Sequence, residues 1–234
     1  MNTGAPLGDE AASSPCIVIA DDHPLVQAAL SASLQQALPG AQVRGAGTIE
    51  GLVVELSRAA DDIDLVLLDL SIPGSSGFVG LLLLLRRFPT LPVAILSAKD
   101  DPSTIRKAIH LGASGYIPKT LSLDAITEAV RRILSGDVWI PPGVAEEQAS
   151  SSDKDVTERL LALSPQQLRI LSRVVEGKQN KRIAFELGIA EQTVKVHVST
   201  ILRALGVHRR TEAAILVERS APRSLDGENS ADKT

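Results

Sequence analysis

The sequence predicts two folded parts: a doubly wound α/β domain with a five-stranded parallel sheet, and after it a small all-α domain of four helices. Short apolar segments alternate with amphipathic helical segments through the first half of the chain, a pattern typical of a parallel sheet covered on both faces. The alternation stops near residue 136, and the remainder shows only helical periodicity. A length of 234 residues suits two domains of ordinary size.

Each predicted strand of the first half is a short apolar segment, and each is followed by a helix that proline or glycine often terminates. Right-handed crossovers between such units produce a doubly wound, flavodoxin-like sheet, whose working site lies beyond the carboxyl ends of the strands. The predicted strands are 16–20, 41–46, 65–68, 93–96 and 115–117, and the predicted helices are 24–38, 48–60, 76–88, 102–111 and 122–135.

The composition changes along the chain and indicates the domain boundaries. We predict the α/β domain at 15–136, a polar and aperiodic linker at 137–160, the all-α domain at 161–220, and loose tails at 1–14 and 221–234. The helices expected in the second domain are 165–176, 180–187, 191–205 and 211–219.

The formal net charge of −4 conceals two parts of opposite charge. Residues 1–142 carry 10 Lys and Arg against 15 Asp and Glu, whereas residues 163–219 carry 10 against 5. Clustered cations attract the phosphate backbone, so the basic part is a candidate for nucleic-acid binding. The single cysteine excludes an intrachain disulfide. The most apolar stretch is too short to span a membrane, so we expect a cytoplasmic protein.

Polar side chains follow the predicted strands at the edge where their carboxyl ends meet. Asp21 and Asp22 follow the first strand, Asp69 the third, Ser97 the fourth and Lys119 the fifth. Crowded carboxylates repel one another unless a cation lies among them, and an oxygen-rich site of this kind suits Mg²⁺. This set of residues predicts phosphoryl transfer onto a carboxylate, with Asp69 as the nucleophile and Lys119 beside the transferred oxygens.

The segments ADDHPL, LLDLSIPGSSG, ILSA and GASGYIPK, in this order, resemble the receiver domain of two-component response regulators. The resemblance implies that Asp69 accepts a phosphoryl group from a sensor histidine kinase. It also implies that Mg²⁺ is held by Asp21, Asp22, Asp69 and the backbone carbonyl of Ser71. Ser97 and Tyr116 would form the switch that responds to phosphorylation.

The basic segment has the order of a helix-turn-helix, in which a short helix and a glycine-containing turn precede a longer helix with an exposed basic face. The segments GKQNKRIAFELGIAEQTVKVHVSTILRALGV and RRTEAA resemble the LuxR/NarL/FixJ-type DNA-binding domain. By that resemblance, 191–205 is the recognition helix. The residues expected at base edges are Lys195, Val196 and Ser199, those expected at phosphates are Asn180, Lys181, Thr193 and Arg209, and those expected in dimerisation are Ala213, Ala214, Ile215 and Val217.

Together these features predict a phosphorylation-controlled transcription factor that binds promoter DNA as a homodimer, with RNA polymerase as a further partner. Two alternatives remain open from the sequence. In one, the receiver is vestigial and the protein responds to a partner or ligand without phosphoryl transfer. In the other, the chain is a phosphatase of the haloacid-dehalogenase type, which requires a second aspartate where Ser71 stands.

Overall fold

The five apolar segments of the first half form one parallel sheet in the computed structural model, which describes residues 14–59, 62–75, 77–144 and 151–220. The strand order is β2-β1-β3-β4-β5, the doubly wound arrangement, and the predicted fold class is confirmed. The strands are β1 (Cys16–Ala20), β2 (Gln42–Ala46), β3 (Leu65–Leu68), β4 (Val93–Ser97) and β5 (Gly115–Pro118).

The two central strands are apolar throughout because both of their faces are covered. Every residue of β1 and β3 is buried, and alternate side chains belong to separate apolar clusters on opposite faces of the sheet. Val18 packs on one face, whereas Ile17 and Ile19 pack on the other. The edge strand β2 is mostly accessible, which explains its weaker apolar pattern.

All five predicted helices of this domain occur, with slightly different ends. Three of them begin at a side-chain cap. The Thr48 hydroxyl accepts the N–H of Gly51 at 3.1 Å, Asp101 accepts that of Thr104 at 2.9 Å and Ser122 accepts that of Ala125 at 3.3 Å. The helices are α1 (Pro24–Ala37), α2 (Ile49–Ala59), α3 (Phe78–Arg87), α4 (Pro102–His110) and α5 (Leu123–Leu134).

The range predicted as a linker, 137–160, contains two ordered elements. The Trp139 carbonyl accepts the N–H of Tyr116 at 2.9 Å, and the Trp139 N–H donates to Ser114 at 3.2 Å, so this residue extends the sheet beside β5. A helix that the sequence pattern did not predict, α6, spans Ser151–Leu161. Residues 145–150 and both predicted tails, apart from Ser14, lie outside the described residues.

The second domain is helical, as predicted. It consists of α7 (Pro165–Val175), α8 (Asn180–Leu187), α9 (Glu191–Leu205) and α10 (Arg210–Ser220), and α6 packs against α9 and α10. The Ser-x-x-Gln pattern at 164–167 predicts a capping box for α7, and the box is present. The Gln167 side chain accepts the N–H of Ser164 at 2.7 Å, and the Ser164 hydroxyl accepts that of Gln167 at 3.3 Å.

The next two helices, α8 and α9, both begin without a side-chain cap. Ala190 precedes α9 without a side-chain cap, as its apolar side chain predicts. The side chain of Asn180 predicts that this residue caps α8. That prediction is wrong, because Gln179 occupies the cap position and Asn180 is already the first helical residue. The Asn180 side chain instead accepts a hydrogen bond from Arg210 at 3.1 Å.

The two domains contact each other mainly where α3 packs against α7. Beside that contact, the carbonyl of Gly74 accepts hydrogen bonds from the Ser172 hydroxyl at 2.7 Å and from Arg173 Nη1 at 3.0 Å. Arg173 also pairs with Glu50 of α2 and, at 3.1 Å, with Glu186 of α8. Burial alone would lower the pKa of Arg173, but the surrounding carboxylates outweigh it and raise that pKa.

Glu186 should make folding stability depend on pH. The hydrogen bond from Lys178 is the largest cause that lowers the Glu186 pKa from 4.5 to about 2. Its stabilising contribution is therefore present above pH 4.5 and is lost as the pH falls toward 2. We expect Glu186→Gln to lower the urea unfolding midpoint at pH 7, and this deficit to shrink below pH 4.5.

A matched control is Glu191→Gln, which changes an exposed carboxylate that pairs with Lys195. Urea unfolding of the wild type and both variants at pH 7, 5, 4 and 3 is the measurement. A Glu186→Gln deficit that stays constant over this range would contradict the assignment.

Candidate functional site

The carboxyl ends of β1, β3 and β5 bring the predicted acidic residues and the lysine together at one edge of the sheet. Ala20 lies opposite Leu68 in the register, and the Asp69 N–H donates to the Ala20 carbonyl at 2.8 Å. Asp21 and Asp69 therefore leave neighbouring strands at the same level. On the far side, the Lys119 N–H donates to the Ser97 carbonyl at 2.7 Å, which anchors the start of the lysine-bearing loop.

Lys119 lies between the two buried carboxylates. Its ammonium nitrogen is 2.6 Å from Asp21 Oδ2 and 2.9 Å from Asp69 Oδ2. Burial by itself would lower the pKa of Lys119, but the two carboxylates outweigh it and raise that pKa. Burial by itself would raise the pKa of Asp21, but hydrogen bonds from Lys119 and His23 outweigh it and lower that pKa. Lys119 and Asp21 therefore both carry charge at neutral pH.

The same carboxylates have the chemistry of a divalent-cation site. One ligand atom from each of Asp21, Asp22, His23 and Asp69 lies within 4.8 Å of the others. Asp21 Oδ2 is buried without a hydrogen bond of regular geometry, although the Lys119 ammonium is near it. His23 Nδ1 lies 3.0 Å from Asp21 Oδ1 and 2.8 Å from Asp22 Oδ1. A cluster of carboxylate oxygens from three residues fits Mg²⁺, which binds through carboxylates.

The predicted switch residues contact the loop that follows β4. The Ser97 hydroxyl accepts the Lys99 N–H at 3.3 Å, and the hydroxyl of the fully buried Tyr116 donates to the Lys99 carbonyl at 2.8 Å. Burial raises the pKa of Tyr116, so this phenol keeps its proton. Ser71 follows Asp69 in a tight turn, in which its N–H donates to Asp69 Oδ1 at 3.1 Å.

The expected base-contacting residues lie on one exposed face of α9. Val194, Ile201 and Leu205 are buried in the domain core, whereas Lys195, Val196 and Ser199 point away from it and are exposed. Among the residues expected at phosphates, Lys181, Thr193 and Arg209 are exposed and Asn180 is half-buried.

The residues expected in dimerisation are not equally available. Ala213 and Val217 are buried in the core of their own chain, Ala214 is half-buried, and Ile215 is 47% exposed. A second copy of the chain would therefore meet Ile215 first on α10.

The contacts between the domains are functional features that the sequence analysis missed. Ser172 and Arg173 are polar residues on the buried face of α7, and both bind Gly74 five residues after Asp69. The available signal was their position: Ser172 lies four residues after Leu168 and Arg173 three residues after Ile170, so each shares a face with a buried apolar residue, where a polar side chain needs a buried partner.

Two family models match consecutive parts of the chain. Residues 17–131 match the response regulator receiver domain, and residues 161–217 match the bacterial regulatory proteins of the luxR family.

Among the described helices, none has the length and apolar composition that a membrane crossing requires.

Similar proteins share this arrangement over most of their length. The glycerol metabolism activator of Pseudomonas putida is 40% identical over 206 residues, which cover 85% of this chain and 93% of that protein. The nitrate/nitrite response regulator protein NarP of Escherichia coli (strain K12) is 33% identical over 204 residues, covering 86% and 93%.

Among solved structures, the RcsB response regulator of Salmonella enterica serovar Typhimurium, bound to promoter DNA with a phosphomimetic, has a TM-score of 0.52. Its sequence is 21% identical, and the match covers 87% of this chain and 98% of that one. At this identity the likeness supports the fold alone. The family consists of DNA-binding response regulators rather than enzymes. This chain therefore belongs to the two-component response regulators that join a receiver domain to a LuxR-type DNA-binding domain and act as transcriptional regulators.

Proposed function

We propose that a sensor histidine kinase transfers a phosphoryl group to Asp69, and that this transfer controls DNA binding by the second domain. The observation that carries the proposal is the position of Asp69 at the end of the central strand β3, with the Lys119 ammonium 2.9 Å from its Oδ2. A carboxylate can attack phosphorus, and an adjacent cation stabilises the charge on the transferring oxygens.

The neighbouring residues support separate roles in this transfer. Asp21, Asp22, Asp69 and the carbonyl of Ser71 would hold Mg²⁺, which when bound supplies positive charge opposite the phosphoryl oxygens. Lys119 balances the buried carboxylates and contacts the acceptor directly. Ser97 and Tyr116 both form hydrogen bonds to the backbone of Lys99. A movement of the Ser97 side chain toward Asp69 would therefore break one of these bonds and change the surroundings of the Tyr116 hydroxyl.

In the second domain, α9 is proposed as the helix that enters the major groove. The free exposure of its outer face supports this role, since an α-helix fits that groove and its side chains reach base edges there. The residues assigned to base edges are Lys195, Val196 and Ser199, and those assigned to phosphates are Asn180, Lys181, Thr193 and Arg209.

The proposed working unit is a homodimer on promoter DNA in the cytoplasm, formed through α10, with RNA polymerase as a further partner. The residues assigned to the dimer contact are Ala213, Ala214, Ile215 and Val217, of which Ile215 is the most exposed. The receiver is assigned to 15–136 and the DNA-binding domain to 161–220.

Asp69→Asn should abolish phosphorylation, because an amide cannot serve as the acceptor nucleophile. The measurement is phosphate incorporation from radiolabelled acetyl phosphate with Mg²⁺. Asp124→Asn changes an exposed carboxylate on α5 and should leave incorporation at the wild-type rate. Incorporation by Asp69→Asn at that same rate would show that the acceptor has been misassigned.

Lys195→Ala should weaken promoter binding about tenfold, because it removes a side chain assigned to a base edge. The helical content should stay unchanged, because this side chain is exposed in the free protein. Fluorescence anisotropy with a promoter duplex, performed at one fixed salt concentration, measures the effect. Arg86→Ala removes an exposed cation from the receiver and is the control, with expected wild-type affinity. Equal affinities for Lys195→Ala and wild type would refute the placement of α9.

A further inference from the structure

A crevice of about 490 Å³ lies between the two domains, away from the carboxylate site. One wall is formed by α2 and α3 of the receiver, and the other by α7 and α8 of the DNA-binding domain. Its volume falls within the roughly 300–1,000 Å³ of small-molecule sites, which occur preferentially at domain interfaces. The apolar side chains that line it are Ile49, Val53, Val54, Leu83, Pro165 and Leu187.

The charged groups of this crevice are unbalanced. Both of its carboxylates, Glu50 and Glu186, are already paired with the buried guanidinium of Arg173. Two further arginines line the crevice, Arg87 from the receiver and Arg169 from the DNA-binding domain. Arg87 donates to the neutral hydroxyl of Ser57 at 3.0 Å, and neither arginine forms an ion pair within the described part of the chain.

An adjacent cavity of about 660 Å³ provides an internal comparison. Its lining is strongly charged, but its arginines and lysine are matched by three glutamates within the chain: Arg173, Lys178 and Arg182 bind Glu50, Glu176 and Glu186. The cations of that cavity are therefore all paired with carboxylates of the chain. The crevice instead combines apolar walls with two arginines that form no ion pair within the described residues.

We propose that the crevice binds a medium-chain monocarboxylate, with its carboxylate at Arg87 and Arg169 and its hydrocarbon chain against the apolar walls. Guanidinium groups recognise carboxylates through paired, charge-assisted hydrogen bonds, and burial of the alkyl chain adds the hydrophobic contribution. Because the two arginines come from different domains, the bound carboxylate joins the receiver to the DNA-binding domain. The site does not include Asp69 or Lys119, so carboxylate binding does not require phosphoryl transfer.

The test is isothermal titration calorimetry on the full-length, unphosphorylated chain without Mg²⁺. We expect saturable one-to-one binding of octanoate, and binding at least about tenfold weaker for octan-1-ol and for inorganic phosphate. Arg87→Gln and Arg169→Gln should each weaken octanoate binding roughly tenfold. Arg86→Gln removes the neighbouring cation outside the crevice and should bind octanoate like the wild type.

A second pair of variants tests whether the crevice disfavours an added negative charge. Val54 is 50% exposed, so its substitution should not disturb the fold, which circular dichroism verifies. Val54→Glu places a carboxylate in the crevice and should reduce octanoate affinity well below that of Val54→Gln. The proposal is overturned if octanoate does not bind saturably, if octan-1-ol or phosphate binds equally well, or if Arg87→Gln and Arg169→Gln bind octanoate like Arg86→Gln. Equal affinities for the two Val54 variants also overturn it.

Discussion

The ammonium group of Lys119 holds together two carboxylates that come from different strands. Asp21 is fully buried and Asp69 is 3% exposed, so the two negative charges could not lie side by side without a nearby cation. The cation comes from the loop after β5, which is separated from β1 by two strands. The geometry of the proposed acceptor site therefore depends on the strand order of the whole sheet, and removing this lysine would leave two uncompensated buried charges.

The loop after Asp69 links this site to the second domain. It bends back at Gly74, whose φ of +85° and close approach to the side chains of Glu50 and Ile49 leave no room for a Cβ atom. The carbonyl of Gly74 is the one that Ser172 and Arg173 bind. A displacement of the loop after Asp69 would therefore act directly on a partly buried, hydrogen-bonded contact with α7, which is stronger than an exposed ion pair.

The net charge of −4 now has a structural meaning. The acidic receiver and the basic domain meet through Glu50 and Arg173 at α7, while the outer face of α9 stays accessible. Opposite charges therefore join the domains at a surface that differs from the face of α9 proposed to bind DNA. The ionic contact and the proposed DNA contact therefore use different side chains.

The sequence alone determined the elements, their order and the residues at the strand ends, because apolar periodicity and caps such as Thr48 and Ser164 act within a few residues. It failed where the partner is distant in sequence. Asn180 binds Arg210 instead of capping its helix, and α6 is polar in sequence yet packs on α9 and α10. Only the tertiary structure decided that Arg173 bridges two domains and that Arg87 and Arg169 share one crevice. Those facts depend on how helices far apart in the chain pack, and no local pattern encodes that packing.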